Sequence, residues 1–501
     1  MLSAFLTGSL LHAQNLNEVV RYSSENLNGT ARYQSLGGAF GALGGDLSAL
    51  SSNPAGSTVF AFSEAAATAN IQSFANNATF FGNQENDDKS TFAIGQVGFV
   101  LVLKNPSVSK WDKLAFGFNT QLVNDFNNNI YFEGVNKNRG LQSYFLAHAT
   151  GTDYNFDIRD ERNISSEYIF QGNRGYSAQQ TYLALRSYLM NYDEDTNEYS
   201  IPVTQEVLGK GIEQTHLVYA TGGQRLYTLN FAGRYDEKLS LGANLNFYSI
   251  DYSEIKENFD YYIDQDNSFV KEILFQEELR TIGTGVSLQV GAIYQASKAL
   301  RLGLSYTSPT FYELEDEQTQ ALSVKSQDDL DGPTYTEEIN PNVVNVIGPY
   351  NVRTPSKTQA SAALVIGNSG FLSTDIGMKK FAKATVSDTA GTGYDYLNEK
   401  ITNELDTSTF IRIGGEKRLG DFSLRAGYWR ESSPYKDMSI KEDYAGFSFG
   451  LGIRFGGSSL DFAFSANDQK HKQQLYSLGL TDTANITKRA EQIALTYSLR
   501  F

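Results

Sequence analysis

The chain has 501 residues, a formal net charge of -16 and no cysteine. Lack of Cys excludes disulfide scaffolds, thiolate metal sites and cysteine nucleophiles. An acidic chain with no dense basic run also lacks the Lys and Arg clusters that a nucleic-acid partner requires.

Residues 1–13 read as the later part of a secretory signal, an apolar run closing on the small residue Ala13 before Gln14. The charged start of such a signal is missing, so the true start is expected upstream of Met1. No later run of about 18 apolar residues follows, so any membrane crossing must be made by strands. Residues 14–57 are rich in small residues and suit a compact segment packed inside a lumen. Asp46 is placed to cap a short helix through Leu47 and Leu50, and Pro54 to stop it.

From residue 58 onward the pattern is that of strands. The content of 30 Tyr, 32 Phe and 44 Gly against 9 Pro suits strands with aromatic girdles. At the C-terminus Ile493, Leu495, Tyr497, Leu499 and Phe501 alternate with Ala494, Thr496, Ser498 and Arg500, which puts the two sets on opposite faces. The same alternation runs through Phe447–Phe455, Leu460–Phe464, Leu241–Phe247 and Leu300–Leu304.

Roughly fourteen such strands are expected, with connections alternating strictly between short and long. Tight links fall at 236–238, 296–298, 368–370, 419–421 and 456–458; long polar stretches lie at 135–223, 257–272, 316–346, 386–404, 432–443 and 467–488. Segregation of loop length by side is the mark of a transmembrane barrel, with the apolar parity facing lipid. The expected fold is therefore all-β, a fourteen-stranded antiparallel transmembrane β-barrel over 58–501 preceded by the compact segment at 14–57, which the family resemblance given below makes an N-terminal hatch. Arg301, Arg412, Arg425 and Arg454 all take the lumen parity.

The segment before the barrel carries Ala31-Arg32, Gly37-Gly38-Ala39-Phe40, Asp46 and Ser52-Asn53-Pro54-Ala55-Gly56. Together with the strand pattern and the terminal Phe501, this resembles the FadL/TodX family of outer-membrane transporters for long-chain fatty acids and hydrocarbons. The resemblance spans nearly the whole chain except the enlarged loop at 135–223. It implies a hatch with Phe40, Asp46, Asn53, Pro54, Ala55 and Gly56 in gating, and a sideways exit at the third strand. That strand is expected from Leu114 to about Glu133, with Asn124, Asn127 and Asn128 as the weak point, since Asn is a poor strand former. It also implies passive uptake across the outer membrane of a Gram-negative bacterium. Outer-membrane lipids and the barrel-assembly machinery, reached through the strand ending in Phe501, are the expected partners. Similar sequences are often labelled hemin receptors, so haem binding stays open, as does a role as a secretion or surface-attachment accessory.

Candidate ligand contacts are Arg32, the four lumen arginines, and two helices of the long loop. One helix carries Leu141, Phe145 and His148, the other Tyr182, Leu185 and Leu189, each at helical spacing. The competing reading makes the arginines lumen ion pairs with acids such as Asp46 and Asp461, and the loop residues the loop's own core. No cofactor or metal is expected. His12, His148, His216 and His471 are far apart in sequence, no nucleophile–base cluster supports an enzyme, and Gly37-Gly38 and Gly44-Gly45 follow no strand in a phosphate-loop context.

Overall fold

The computed structural model describes residues 2–5, 16–104, 109–153 and 164–501. Leu2–Phe5 is a short strand parallel to Val343–Val346. The rest of the signal-like run, with His12 and the Ala13–Gln14 boundary, lies outside the described residues.

Fourteen antiparallel strands close into a barrel. They are β1 (Glu64–Phe80), β2 (Asn83–Lys104), β3 (Trp111–Asp125 and Asn128–Asn136), β4 (Ile212–Tyr235), β5 (Leu239–Tyr262), β6 (Val270–Gln295) and β7 (Leu300–Thr307 and Phe311–Ser326). There follow β8 (Val343–Arg353 and Lys357–Val365), β9 (Gly370–Lys380 and Thr385–Asp388), β10 (Thr407–Leu419), β11 (Phe422–Glu431), β12 (Tyr444–Phe455), β13 (Ser458–Gln474) and β14 (Thr483–Arg500). The ladder between β1 and β14, from Glu64 opposite Arg500 to Thr79 opposite Asn485, shuts the cylinder.

Side-chain parity follows the alternation in the sequence. Ile493, Leu495, Tyr497 and Leu499 are exposed on the outside, whereas Ala490, Gln492, Ala494 and Thr496 are buried inward. Phe231, Leu288, Leu304, Leu372, Phe449 and Leu451 extend the outer belt around the barrel. A continuous apolar belt of that size is unfavourable against water and is satisfied by hydrocarbon. No helix among the described residues is long and apolar enough to cross a membrane.

Three expectations need correction. Strands run further outward than the alternation shows: the long loop covers 137–211 rather than 135–223, because β4 already begins at Ile212. Likewise β5, β7 and β13 continue to Tyr262, Ser326 and Gln474. Beyond the apolar belt both faces of a strand are polar, so the period-two signal vanishes while the ladder continues. Loop lengths do not alternate strictly either, since β1 and β2 join outside through Phe81 and Gly82 alone, both at positive φ. Finally, β3 reaches from Trp111 to Asn136 in two segments.

The segment before the barrel fills the lumen up to β1. It contains helices α1 (Leu16–Ser23) and α2 (Ala31–Ser35) and two 3-10 turns, Ser48–Ser51 and Pro54–Val59. Leu47, not Asp46, stands at the cap position of the first turn; Asp46 lies one residue earlier and accepts from the Ser48 N–H at 2.9 Å. Pro54 opens the second turn rather than only ending the first: it stands at the first position, where its missing N–H costs nothing, and Asn53 caps it through the Ala55 N–H at 3.1 Å. Over the outer mouth, the described residues of 137–211 form a cap of α3 (Leu141–Ala149), α4 (Ile164–Arg174), α5 (Tyr176–Arg186), α6 (Gln205–Lys210) and a small hairpin.

A break in the wall and the segment that closes it

The ladder between β2 and β3 runs from Lys104 opposite Lys113 to Gln96 opposite Gln121, and there it stops. Beyond that level Asn83–Ile94 pairs only with β1, and Asn128–Asn136 pairs only with β4. Local sequence makes the break. Gly95 and Val123 are bulged out of register, which bends each strand and ends its pairing. Asp125 accepts from the backbone N–H of Asn127 at 2.9 Å and from its side-chain amide at 2.6 Å, turning the corner between the two segments of β3. Opposite the corner, Gly222 has φ +107, and a Cβ there would meet the Asp251 carbonyl at 2.1 Å.

Side chains replace the missing ladder. Thr91 donates to Asp125 at 3.1 Å, Lys89 donates to the Ala220 carbonyl at 3.2 Å, and Arg225 donates to the Ile94 carbonyl at 3.1 Å. The second segment of β3 leans onto the inner face of β1, where Asn76 donates to Asn128 at 3.0 Å and Phe80 meets Phe132. All three asparagines singled out at this strand thus sit at the corner.

The N-terminal segment is tied to that corner. The Asn26 N–H donates to the Val123 carbonyl at 3.0 Å and to Asn124 Oδ1 at 3.2 Å. The Asn124 amide donates to the Ser24 carbonyl at 2.6 Å and to Gln224 at 2.7 Å. Immediately before, Glu25 pairs across the lumen with Lys357 at 2.7 Å and Lys379 at 3.9 Å. Burial raises the Glu25 pKa, but those two ammonium groups outweigh it and hold the carboxyl well below its usual range. Ahead of these contacts α1 stoppers the lumen, burying Val19, Val20 and Tyr22 against Val123, Tyr252 and Phe381.

Further down, wall glycines let the plug touch the barrel backbone. A Cβ on Gly291 would meet Asn53 Oδ1 at 2.1 Å, and one on Gly303 would meet the Gly41 carbonyl at 2.3 Å. Asn53 donates to the Gly41 carbonyl at 2.8 Å and to the Ala292 carbonyl of β6 at 3.1 Å. Asn230 donates to the Pro54 carbonyl at 2.9 Å, and Ala55 and Gly56 are buried beside it. The N–H groups of Phe40 and Gly41 both donate to Asp375 on β9, each at 3.0 Å.

Four of the five arginines hold this assembly together, while the exposed Arg454 reaches only a turn of the wall. Arg32 and Arg425 converge on Glu416, at 3.4 and 2.7 Å, and Arg425 also pairs with Asp461 at 2.6 Å. Arg301 donates to the Leu43 carbonyl at 2.9 Å, Arg412 to the Tyr33 hydroxyl at 3.1 Å, and Arg454 to the Gly420 carbonyl at 3.1 Å. Asp46 accepts from the Thr30 hydroxyl at 2.8 Å. In the cap, Leu141, Phe145, Leu185 and Leu189 lie in one apolar core with Phe275 and Leu322 of the wall. His148 packs on Tyr144 and Tyr176, while His216 packs on Phe132 beside Asn258, and Tyr476 stands between the two, stacked on Tyr144 and accepting from Asn258. Among the described residues no group of His, Asp and Glu is arranged to hold a metal ion.

Sequence reasoning missed Glu25, Asn26, Gln224, Asp375 and Glu416. Asp375 and Glu416 do carry a signal, since each is an acid at lumen parity in a strand whose outward positions are apolar.

No family model and no curated protein matches the chain. Solved structures do. A FadL homologue of Pseudomonas aeruginosa aligns over 95% of this chain and 99% of its own, with TM-score 0.54 and 12% identity. The toluene transporter TodX of Pseudomonas putida aligns over 96% and 100%, with TM-score 0.51 and 14% identity. The chain therefore has the FadL-type fold.

Proposed function

We propose that the chain is an outer-membrane channel for the passive uptake of hydrophobic small molecules, released sideways into lipid between β2 and β3. One observation carries this reading: the wall is unpaired along half its height at the place to which the plug is tied. A sealed structural barrel has no use for a break, and a water-filled pore has no use for one that faces the apolar belt. The arrangement suits cargo more soluble in hydrocarbon than in water, which gains about 0.8 kcal/mol per CH₂ on leaving water. TodX, a toluene transporter, shares the architecture, and a cargo of that kind agrees with this use. Under this reading Asn53–Gly56, Phe40 and Asp46 hold the plug, Asn124, Asn127 and Asn128 form the exit, and the apolar cap core receives cargo when the cap loosens.

Proteoliposome uptake tests the proposal. A hydrophobic fluorescent probe is expected to reach the bilayer faster with the protein than without it, while a polar dye of similar size stays outside. Equal rates with and without protein would remove the channel reading. A second reading, attachment of a partner at the surface, draws on Phe170 and Tyr188, which the cap exposes outward. Deleting the cap would then abolish attachment and leave probe uptake unchanged.

A further inference from the structure

The closed cylinder leaves one strand edge bare. From Asn83 to Ile94, β2 keeps an unbroken register with β1, and no other described strand pairs with it there. No residue of this run is buried, whereas its β1 partners Phe74, Asn76, Ala78 and Phe80 all are. The outward apolar residues of β2 begin only at Phe92, so Asn83–Ser90 stands above the belt on the outer side.

The hairpin turn sets which groups this edge offers. Phe81 and Gly82 form a two-residue turn, so Phe80 and Asn83 are a hydrogen-bonded pair and every second residue of β2 bonds to β1. The residues between them, Gln84, Asn86, Asp88, Ser90 and Phe92, therefore turn their N–H and C=O groups away from β1. Ile94 has the same parity, and its carbonyl does accept from that side, from Arg225 at 3.1 Å. Neither a proline nor a bulge interrupts the run. An even, exposed edge of this kind is a template on which an extended chain adds as a further strand.

Charge selects the occupant. Glu85, Asp87 and Asp88 lie on the strand itself, and Glu85 gathers with Glu133 and Glu213 around the Tyr131 hydroxyl. The cations beside them are spent on the backbone, Lys89 on the Ala220 carbonyl at 3.2 Å and Arg225 on that of Ile94. A second copy of the chain would set the same acids against one another, and like charges across a ladder are destabilising. A basic strand would meet them favourably.

We infer that the Asn83–Ile94 edge of β2 is a docking site for an extended, basic segment of another polypeptide, which adds to the wall as a strand from outside the cell. Main-chain bonds hold the segment, and Glu85, Asp88 and Glu213 select it. The inference does not rest on the channel reading.

The test is fluorescence anisotropy of labelled peptides of about eight residues, an ordinary strand length, with the full chain in non-ionic detergent. One peptide alternates Val and Thr with Lys, and a second carries Glu in place of Lys. The third is the basic peptide N-methylated through its central residues, which removes donors from both edges and keeps the charge. The basic peptide is expected to bind at least about tenfold more tightly than either of the others, a difference of about 1.4 kcal/mol. Asn86→Pro deletes an N–H that faces away from β1, so the ladder within the wall stays complete while the edge is broken; it should abolish binding. Glu85→Gln/Asp88→Asn/Glu213→Gln should reduce the preference for the basic over the acidic peptide at least about threefold. Retention of the heat-modifiable band on a gel shows that each variant is folded. Equal affinity for the basic and N-methylated peptides overturns the inference, because charge alone would then account for the binding. So does an acidic peptide that binds as well as the basic one, no binding of the basic peptide, or a folded Asn86→Pro variant that binds like the native chain. A native chain that sediments as a dimer, and as a monomer once Asn86→Pro is introduced, overturns it too, since a second copy would then hold the edge.

Discussion

The cap and the plug both obstruct the lumen, but they are held by different forces. The cap is an extension of the outer wall's apolar core: Leu141, Phe145, Leu183 and Leu189 are fully buried with Ile273, Phe275 and Val324. A few polar contacts run inside it, where Tyr168 and Gln180 each donate to Gln320 at 2.8 Å and the Leu141 N–H donates to Asp260 at 2.6 Å. The plug below α1 relies on backbone N–H and C=O groups meeting side chains of the wall, with glycines admitting the close approach. An apolar core yields as a unit, by losing area all at once. A hydrogen-bonded plug yields bond by bond, and each bond is worth only about 0.5–1.5 kcal/mol net. The cap is therefore suited to rare, large opening, and the plug to small local shifts such as those at the break.

This contrast can be broken in several ways, and the strongest is in the cap. Phe145→Ala should cost about 3–5 kcal/mol of cap stability, read as faster hydrogen exchange over residues 141–149 with Asn26–Phe40 unaffected. Exchange that rises equally in the plug would show that the two are one cooperative unit. Next comes Glu416→Gln, which strips the shared counter-charge from Arg32 and Arg425; since Asp461 still holds Arg425, the cost should be about 3 kcal/mol. Exchange should then rise around Ala31–Ser35 and remain unchanged in α3. Asn124→Ala removes the bonds that join Ser24 and Gln224 to the corner, worth about 1–3 kcal/mol of local stability. Probe uptake should increase while the cap stays protected.

The smallest expected effect concerns pH. Glu25 has a folded pKa below its unfolded one, so its contribution is complete above the unfolded value and is lost only as pH falls through the folded value. Lowering the pH from 7 to 5 should leave the protection of Ser23–Asn28, relative to intrinsic exchange at each pH, unchanged, and Glu25→Gln should lower it at both pH values. A native plug that loosens at pH 5 would contradict the ion-pair account.

The same contrast explains what could be read beforehand. The belt strands were legible because lipid and lumen impose opposite polarity on alternate residues, as at Ile493–Phe501. The cap core was legible in part: Leu141 and Phe145 show helical spacing, and α3 and α5 form there, but Leu189 lies past the end of α5 and α4 went unseen. The corner at Asn124–Asn128 could be suspected because Asn resists strand geometry. The lumen parity of Arg425 was also plain, whereas its convergence with Arg32 on Glu416 was not. Such pairings join residues hundreds of positions apart, and no local period encodes them. Glu25 illustrates the limit most clearly, as it stands in a short irregular stretch between α1 and α2 and finds Lys357 and Lys379 only after the barrel has closed.

The most direct test of sideways release uses the absence of native cysteines. Thr91→Cys and Asp125→Cys place one thiol on each side of the break, and a short bismaleimide can fasten them together. The account predicts that the fastened protein takes up hydrophobic probe no faster than empty liposomes, while the same double-cysteine protein left unfastened takes it up faster. Undiminished uptake with the two sides fastened would contradict release between β2 and β3.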